Sequence, residues 1–213
     1  VAKERAVEPA GGLPPTSGLT ARMYTVAAAA AAPEEALAAL AELGQPLAER
    51  ALAEHGELAA EWPGLAPLLA LEQALLRAHA QRALEGVRRR DRALRGRVRR
   101  AIDLFNVRAA LSAGHESGIP AGAIFLAGGA HLDLELFTAA LDTEDTQAVR
   151  ELLAAALPDR FAAALTDDRV PVPRIERALL ARELEEERRL AHREPLGPAP
   201  ILAFLLRQRL EVR

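Results

Sequence analysis

Cysteine is absent from the chain. That excludes a disulfide framework, thiolate metal ligands and a cysteine nucleophile, and it fits a reducing cytoplasm. Aromatic residues are scarce, at 3% of 213 residues with a single Trp and a single Tyr, and β-branched or aromatic strand runs are scarce with them. Neither sign of charge prevails. The 27 Lys and Arg against 30 Asp and Glu leave a net −3, which offers no general attraction to nucleic acid. Long apolar runs are missing too: nothing approaches the ~20 residues of a membrane span. The stretch Ala27 to Ala32 is too short and too weakly apolar, and no signal peptide precedes it.

What is present is alanine and leucine. Half the residues are apolar, and with so few rings these two, the strongest helix formers, must supply most of the core. The expected fold class is all-α, and the length suffices for one or two domains with a real core.

Proline and glycine punctuate this helical background. The first eighteen residues hold Pro9, Gly11, Gly12, Pro14, Pro15 and Gly18 and read as loop. Helical patterns follow over Leu19–Ala32, then from Pro33 to Gly44, with Glu34 and Glu35 in a first turn whose dipole suits carboxylates. A short helix over Leu47–His55 is expected to end near Gly56, and Trp62-Pro63-Gly64 marks a turn. From Leu65 about forty-five residues read as one very long helix, bent if anywhere at Gly86 and Gly96. Its apolar stripe is Leu84, Val87, Leu94, Val98, Ala101 and Phe105. Gly114 to Gly129 reads as a second loop. Helices are expected over Leu132–Leu141, Thr146–Leu157, Arg160–Leu165 and Arg174–Arg193, with a last one from near Ile201 still running at Arg213.

Self-comparison finds a repeat. Pro9-Ala-Gly11 and Pro120-Ala-Gly122 are each followed by an apolar stretch, by Gly18 or Gly129, by a helix, a polar turn and a second helix, and by Pro46 or Pro158. Farther on, Leu71-Glu-Gln-Ala-Leu-Leu76 matches Ile175-Glu-Arg-Ala-Leu-Leu180, and both open long helices. The expected division is residues 1–64 as the end of one helical repeat, 65–169 as a central repeat with the long helix and Gly-Gly loop, and 170–213 as the start of the next.

The segment Ala101-Ile-Asp-Leu-Phe-Asn-Val-Arg108, followed by Ile124-Phe-Leu-Ala-Gly-Gly129, resembles the C subunit of V/A-type rotary ATPases, equivalent to eukaryotic subunit d. That family carries an Asp-x-x-Asn-(aliphatic)-Arg helix and then an apolar-Gly-Gly loop, matched here by Asp103, Asn106, Val107, Arg108, Gly128 and Gly129. Pro195-Leu-Gly197 followed by Ile201-Leu-Ala-Phe204 and Glu211 resembles the family's last long helix. The resemblance implies a funnel of pseudo-symmetric helical repeats with no active site, cofactor or small-molecule substrate. It implies as partners the central shaft subunits (D/F type) and the membrane rotor ring, and a cytoplasmic place on the inner face of the cell membrane through that ring. The work implied is coupling of shaft to ring for ATP-linked proton or sodium transport. By the same resemblance the chain is about a third shorter than the family, so the expected funnel is incomplete, with its ends cut through neighbouring joints.

Read as residues, Asp103 and Asn106 lie three apart on one helix face, with Arg108 turned away by about 160° on ideal geometry. Short polar side chains beside an apolar stripe suit a structural role, bonding to backbone groups of the adjoining loop. One carboxylate without a base partner does little chemistry. Gly128-Gly129 lacks the Gly-Lys-Ser/Thr tail of a phosphate loop and reads as a tight turn. His55, His79, His115, His131 and His192 show no ligand spacing, so no metal site is expected. The Arg run offers a possible partner face at Arg88, Arg92, Arg95 and Arg99. It reads first as a solvated face, second as a surface for an acidic partner or lipid headgroups. The alternative function is a helical nucleic-acid-binding or regulatory module using Arg88–Arg100, although few aromatics are available for stacking. Glu183 to Glu187 reads as an exposed helix face supported by Arg182–Glu186 and Glu185–Arg189 pairs.

Overall fold

The computed structural model of the chain describes residues 29–87, 91–113, 118–167, 172–193, 197 and 199–211. Every regular element among them is a helix. The expected helix over Leu19–Ala32 and the first copy of the repeat's loop therefore lie mostly outside the described residues.

Three helices open the described part, each with proline in its first turn where no amide partner is needed: α1 (Pro33–Glu42), α2 (Pro46–Glu61) and α3 (Pro67–Gly86). At the end of α1, Gly44 adopts φ +72°, and the amides of Gly44 and Gln45 donate to the carbonyls of Ala41 and Leu40. This left-handed cap is why the helix stops at a glycine. Gly56 does not stop α2, contrary to the sequence expectation. A lone interior glycine costs only ~1 kcal/mol, and continuing the helix buries Leu58 completely before Trp62-Pro63 ends it.

The expected single long helix is two. Helix α3 ends at Gly86 with Val87 extended at φ −83° and ψ 115°, and α4 (Arg92–Ala113) restarts with the Asp91 carboxylate accepting from the Leu94 amide at 2.9 Å. Val87 is buried there, so the break at Gly86 puts an apolar side chain inside while Asp91 caps the new start. A four-residue helix, α5 (Ala121–Ile124), lies within the segment read as loop, opened by Pro120.

The second half runs α6 (Leu134–Leu141), α7 (Thr146–Ala156), α8 (Asp159–Leu165), α9 (Val172–Arg193) and α10 (Ala199–Glu211). Asp133 caps α6 through the Leu136 amide, and Asp145 caps α7 through those of Gln147 and Ala148. Packing order recurs along the chain. Helix α1 packs on α2, α2 on α3 and α3 on α4; likewise α7 packs on α8, α8 on α9 and α9 on α10.

The largest core joins the C-terminal half of α4 (Val107, Ala110) to Phe137, Leu153, Phe161, Leu165 and Ile175. A smaller one, with Leu37, Ala51 and Leu71, holds α1 to α3. Between them Ala80, Ile102 and Leu126 form a third cluster. Leu126 belongs to the loop before α6, so this cluster is where the first helical group, α4 and the second group meet.

Candidate functional site

Three side chains one and two turns apart on a single face of α4 grip the loop between α5 and α6. Asn106 is completely buried, and it treats one residue as a strand neighbour would: its Nδ2 donates to the Leu126 carbonyl and its Oδ1 accepts from the Leu126 amide, both at 2.9 Å. One turn back, the Asp103 carboxylate accepts from three successive amides, those of Ala130, His131 and Leu132, at 3.0–3.3 Å. One turn farther, Arg99 donates from Nε and Nη2 to the Gly129 carbonyl at 3.0 and 2.7 Å. A loop packed against a helix has backbone groups with no regular partner, and here side chains of one helix supply those partners.

The glycines of the loop make the close approach possible. A Cβ on Gly129 would collide with Oδ1 of Asp103, and one on Gly128, whose φ is +101°, would lie 2.5 Å from Cδ1 of Leu84. The short helix α5 that leads into the loop is held from α3. Arg77 donates to the carbonyls of Gly122 and Ala123 and lies over the Trp62 ring, which packs so closely that a Cβ on Gly122 would come within 2.9 Å of it. Arg77 and Trp62 are parts of this joint that the sequence reading missed. In the sequence Trp62 reads only as part of a turn, and nothing local marks Arg77 as a carbonyl binder.

This arrangement is a backbone-capturing joint, and a family match covers it. Residues 12–213 match the model of the ATP synthase (C/AC39) subunit family. The chain belongs to that family. No curated protein sequence matches it.

Within this C/AC39 subunit the remaining motif residue faces elsewhere. Arg108 leaves the joint and reaches α9, pairing with Glu176 at 3.2 Å while its guanidinium lies over Phe105. The structure thus brings Asp103, Asn106, Gly128 and Gly129 together and separates Arg108 from them.

The arginine run divides rather than forming one face. Arg88 lies outside the described residues. Arg92 and Arg95 are exposed, and Arg99 is engaged by Gly129. Arg97, between them, is buried and lies 2.7 Å from Glu187 of α9, with Arg100 at 3.9 Å from the same oxygen. The reading of Glu183 to Glu187 as an exposed face needs correction there, because Glu187 is only 1% exposed. Its ion pair was invisible because each partner sits inside a like-charged run that resembles a solvated helix surface. Burial pushes the Glu187 carboxyl above the usual carboxylate range, against the pull of Arg97 and Arg100. The unpaired Oε2 of Glu187 and Nη1 of Arg97 are consistent with that balance. Around it, Arg189 pairs with Glu185 as expected, whereas Arg182 takes Glu185 and Glu186 takes Arg160 from α8.

Among the described residues no group of three or more His, Asp or Glu side chains could hold a metal ion. None of their helices is long and apolar enough to cross a membrane.

Proposed function

We propose that the chain is a non-catalytic coupling subunit of the central stalk of a V/A-type rotary ATPase or synthase, joining the central shaft to the membrane rotor ring. The supporting observation is the joint itself. Asp103, Asn106 and Arg99 bond only to backbone groups of a neighbouring loop, so their hydrogen-bonding capacity holds one helical group against the next. A part that passes torque needs such stiffness at the joints between its rigid helices, and it needs no substrate. Membership of the C/AC39 family agrees with that use.

In this reading the helical groups 1–64, 65–169 and 170–213 are successive sectors around a funnel. The partners are the D/F-type shaft subunits and the rotor ring, and the subunit sits peripherally on the inner face of the membrane through that ring, in the service of proton or sodium transport. For the alternative nucleic-acid face, Arg97, Arg99 and Arg100 are engaged within the chain, which leaves Arg92 and Arg95 as its exposed arginines among the described residues.

The test is co-purification. The full-length polypeptide, tagged and expressed with the shaft and ring subunits of its own operon or cell, should carry both through two affinity steps. Recovery of neither would refute the reading. Substituting Asp103 by Ala should loosen the joint and reduce ATP-driven ion pumping in the assembled complex while leaving ATP hydrolysis by the catalytic head.

A further inference from the structure

Beside the joint runs a groove whose two sides differ in chemistry. One wall is α2, which presents Glu54, Glu57 and Glu61 in a row, and the floor is apolar, with Trp62, Phe125 and Leu134. Leu134 is 45% exposed, and Trp62 and Phe125 are only half-buried. Among the described lining residues the single cation is Arg77, already engaged by two carbonyls and the Trp62 ring. Glu54 accepts from Gln81 at 2.8 Å, while Glu57 and Glu61 are exposed and make no ion pair among the described residues.

A solvated acidic face would not need an open apolar floor beside it, and an apolar patch meant only to finish a core would not carry three carboxylates along its edge. Anionic partners, whether lipid headgroups or nucleic acid, are repelled by that wall. The row from Glu54 to Glu61 spans about 10 Å, two turns of an α-helix. Charge complementarity and size select the same occupant.

We propose that this groove docks a basic amphipathic polypeptide segment about two helical turns long, with Lys or Arg along the edge facing α2 and apolar side chains on Trp62, Phe125 and Leu134. Such a segment gains from both sides of the groove, with apolar burial supplying affinity and the carboxylates supplying orientation and encounter rate. The inference stands apart from the rotary role, because it concerns binding by the chain alone.

The test uses the full chain and a short fluorescent Leu/Lys helix whose leucines line one face. A scrambled peptide of the same composition and a Leu/Glu counterpart serve as controls. The amphipathic basic peptide should bind in an anisotropy titration, and added salt should weaken it. The double reversal Glu57→Lys with Glu61→Lys should weaken binding roughly tenfold or more, and Leu134→Asp should weaken it as well. Melting curves of both variants should match the native chain, since all three side chains are exposed. Three results would each overturn the proposal: no binding to the native chain, equal binding of the scrambled peptide, or equal binding to the charge-reversed variant.

Discussion

Replacing Asn106 by alanine removes both hydrogen bonds to Leu126 at once. Both groups on Leu126 lie in a buried environment, with the residue 4% exposed and Asn106 itself at 0%, so water does not readily replace what is lost. A buried backbone donor or acceptor left without a partner costs about 1–3 kcal/mol. Two such groups give about 2–6 kcal/mol, before any small cavity contribution. Stabilities of natural domains lie at about 5–15 kcal/mol, so the loss takes a large fraction of the total. The assay is urea unfolding followed by far-ultraviolet circular dichroism, combined with amide exchange at Leu126. Asn106→Ala should lower the midpoint with an unchanged slope and should deprotect the Leu126 amide selectively. Asn106→Asp sharpens the reasoning, because it keeps the shape and the acceptor but removes the donor at neutral pH. It should cost nearly as much near pH 7, and part of the loss should return in acid as the new carboxyl gains a proton. A loss below about 1 kcal/mol, with Leu126 still protected, would refute the claim that this side chain holds the loop.

Other substitutions separate steric need from mere glycine. Gly129→Ala drives a methyl group into the Asp103 carboxylate and should cost about 1–3 kcal/mol, whereas Gly56→Ala, in open space within α2, should stabilise by about 0.4–1 kcal/mol; paired thermal melts read both. Gly128→Ala should be destabilising chiefly through its positive φ, at about 1–3 kcal/mol, because the end of Leu84 can swing aside. For Glu187 the folded carboxyl is raised above its ordinary value of 4.5 by burial. The folded state therefore binds more protons than the unfolded one just above that value, and its share of stability is present below it and lost as pH rises through the folded value. Denaturation midpoints measured across that range should fall with pH in the native chain, and Glu187→Gln should flatten that component. Arg97→Ala strands a buried carboxylate and should cost about 3–5 kcal/mol, while the double change Arg97→Met with Glu187→Leu should stay near native stability. Equal losses from the single and double changes would contradict the ion-pair account.

Local signals are strongest where backbone chemistry is local. Prolines opened α1, α2 and α3, and aspartates capped α6 and α7, so the helical class and most boundaries of the second half were legible from the residues. Two boundaries misled for the same physical reason. Gly56 and Gly86 are equally weak breakers, and which of them ends a helix depends on whether continuing buries an apolar side chain: Leu58 favours continuation, and Val87 is buried by turning away. That choice is tertiary. The polar positions followed the same logic. Asp103 and Asn106 stood out because short polar side chains interrupt an apolar face, which flags an unusual bonding need even before its partner is known. Arg97 and Glu187 gave no such flag, since each sits among neighbours of its own charge and only the approach of α9 to α4 distinguishes it from them.

That contrast bears on how the joint carries load. The Asp103 and Asn106 bonds end on backbone groups of Leu126 and of Ala130 to Leu132, so moving the loop relative to α4 must break several directional bonds together. Beside the apolar core that Val107 and Ala110 share with Ile175, the polar contacts of α4 with α9 are made by Arg97, Arg100, Arg108, Glu176 and Glu187, whose long side chains can follow a shift by changing rotamer. Helix α4 should therefore move as one body with the loop before α6, and any give between the helical groups should appear first at α9. Amide exchange locates it: the amides of Leu126 and Ala130 to Leu132 should exchange as slowly as the α4 core, while those of α9 facing Arg97 should open sooner. The reverse order would place the compliant side of the joint in the loop and undo this account of its stiffness.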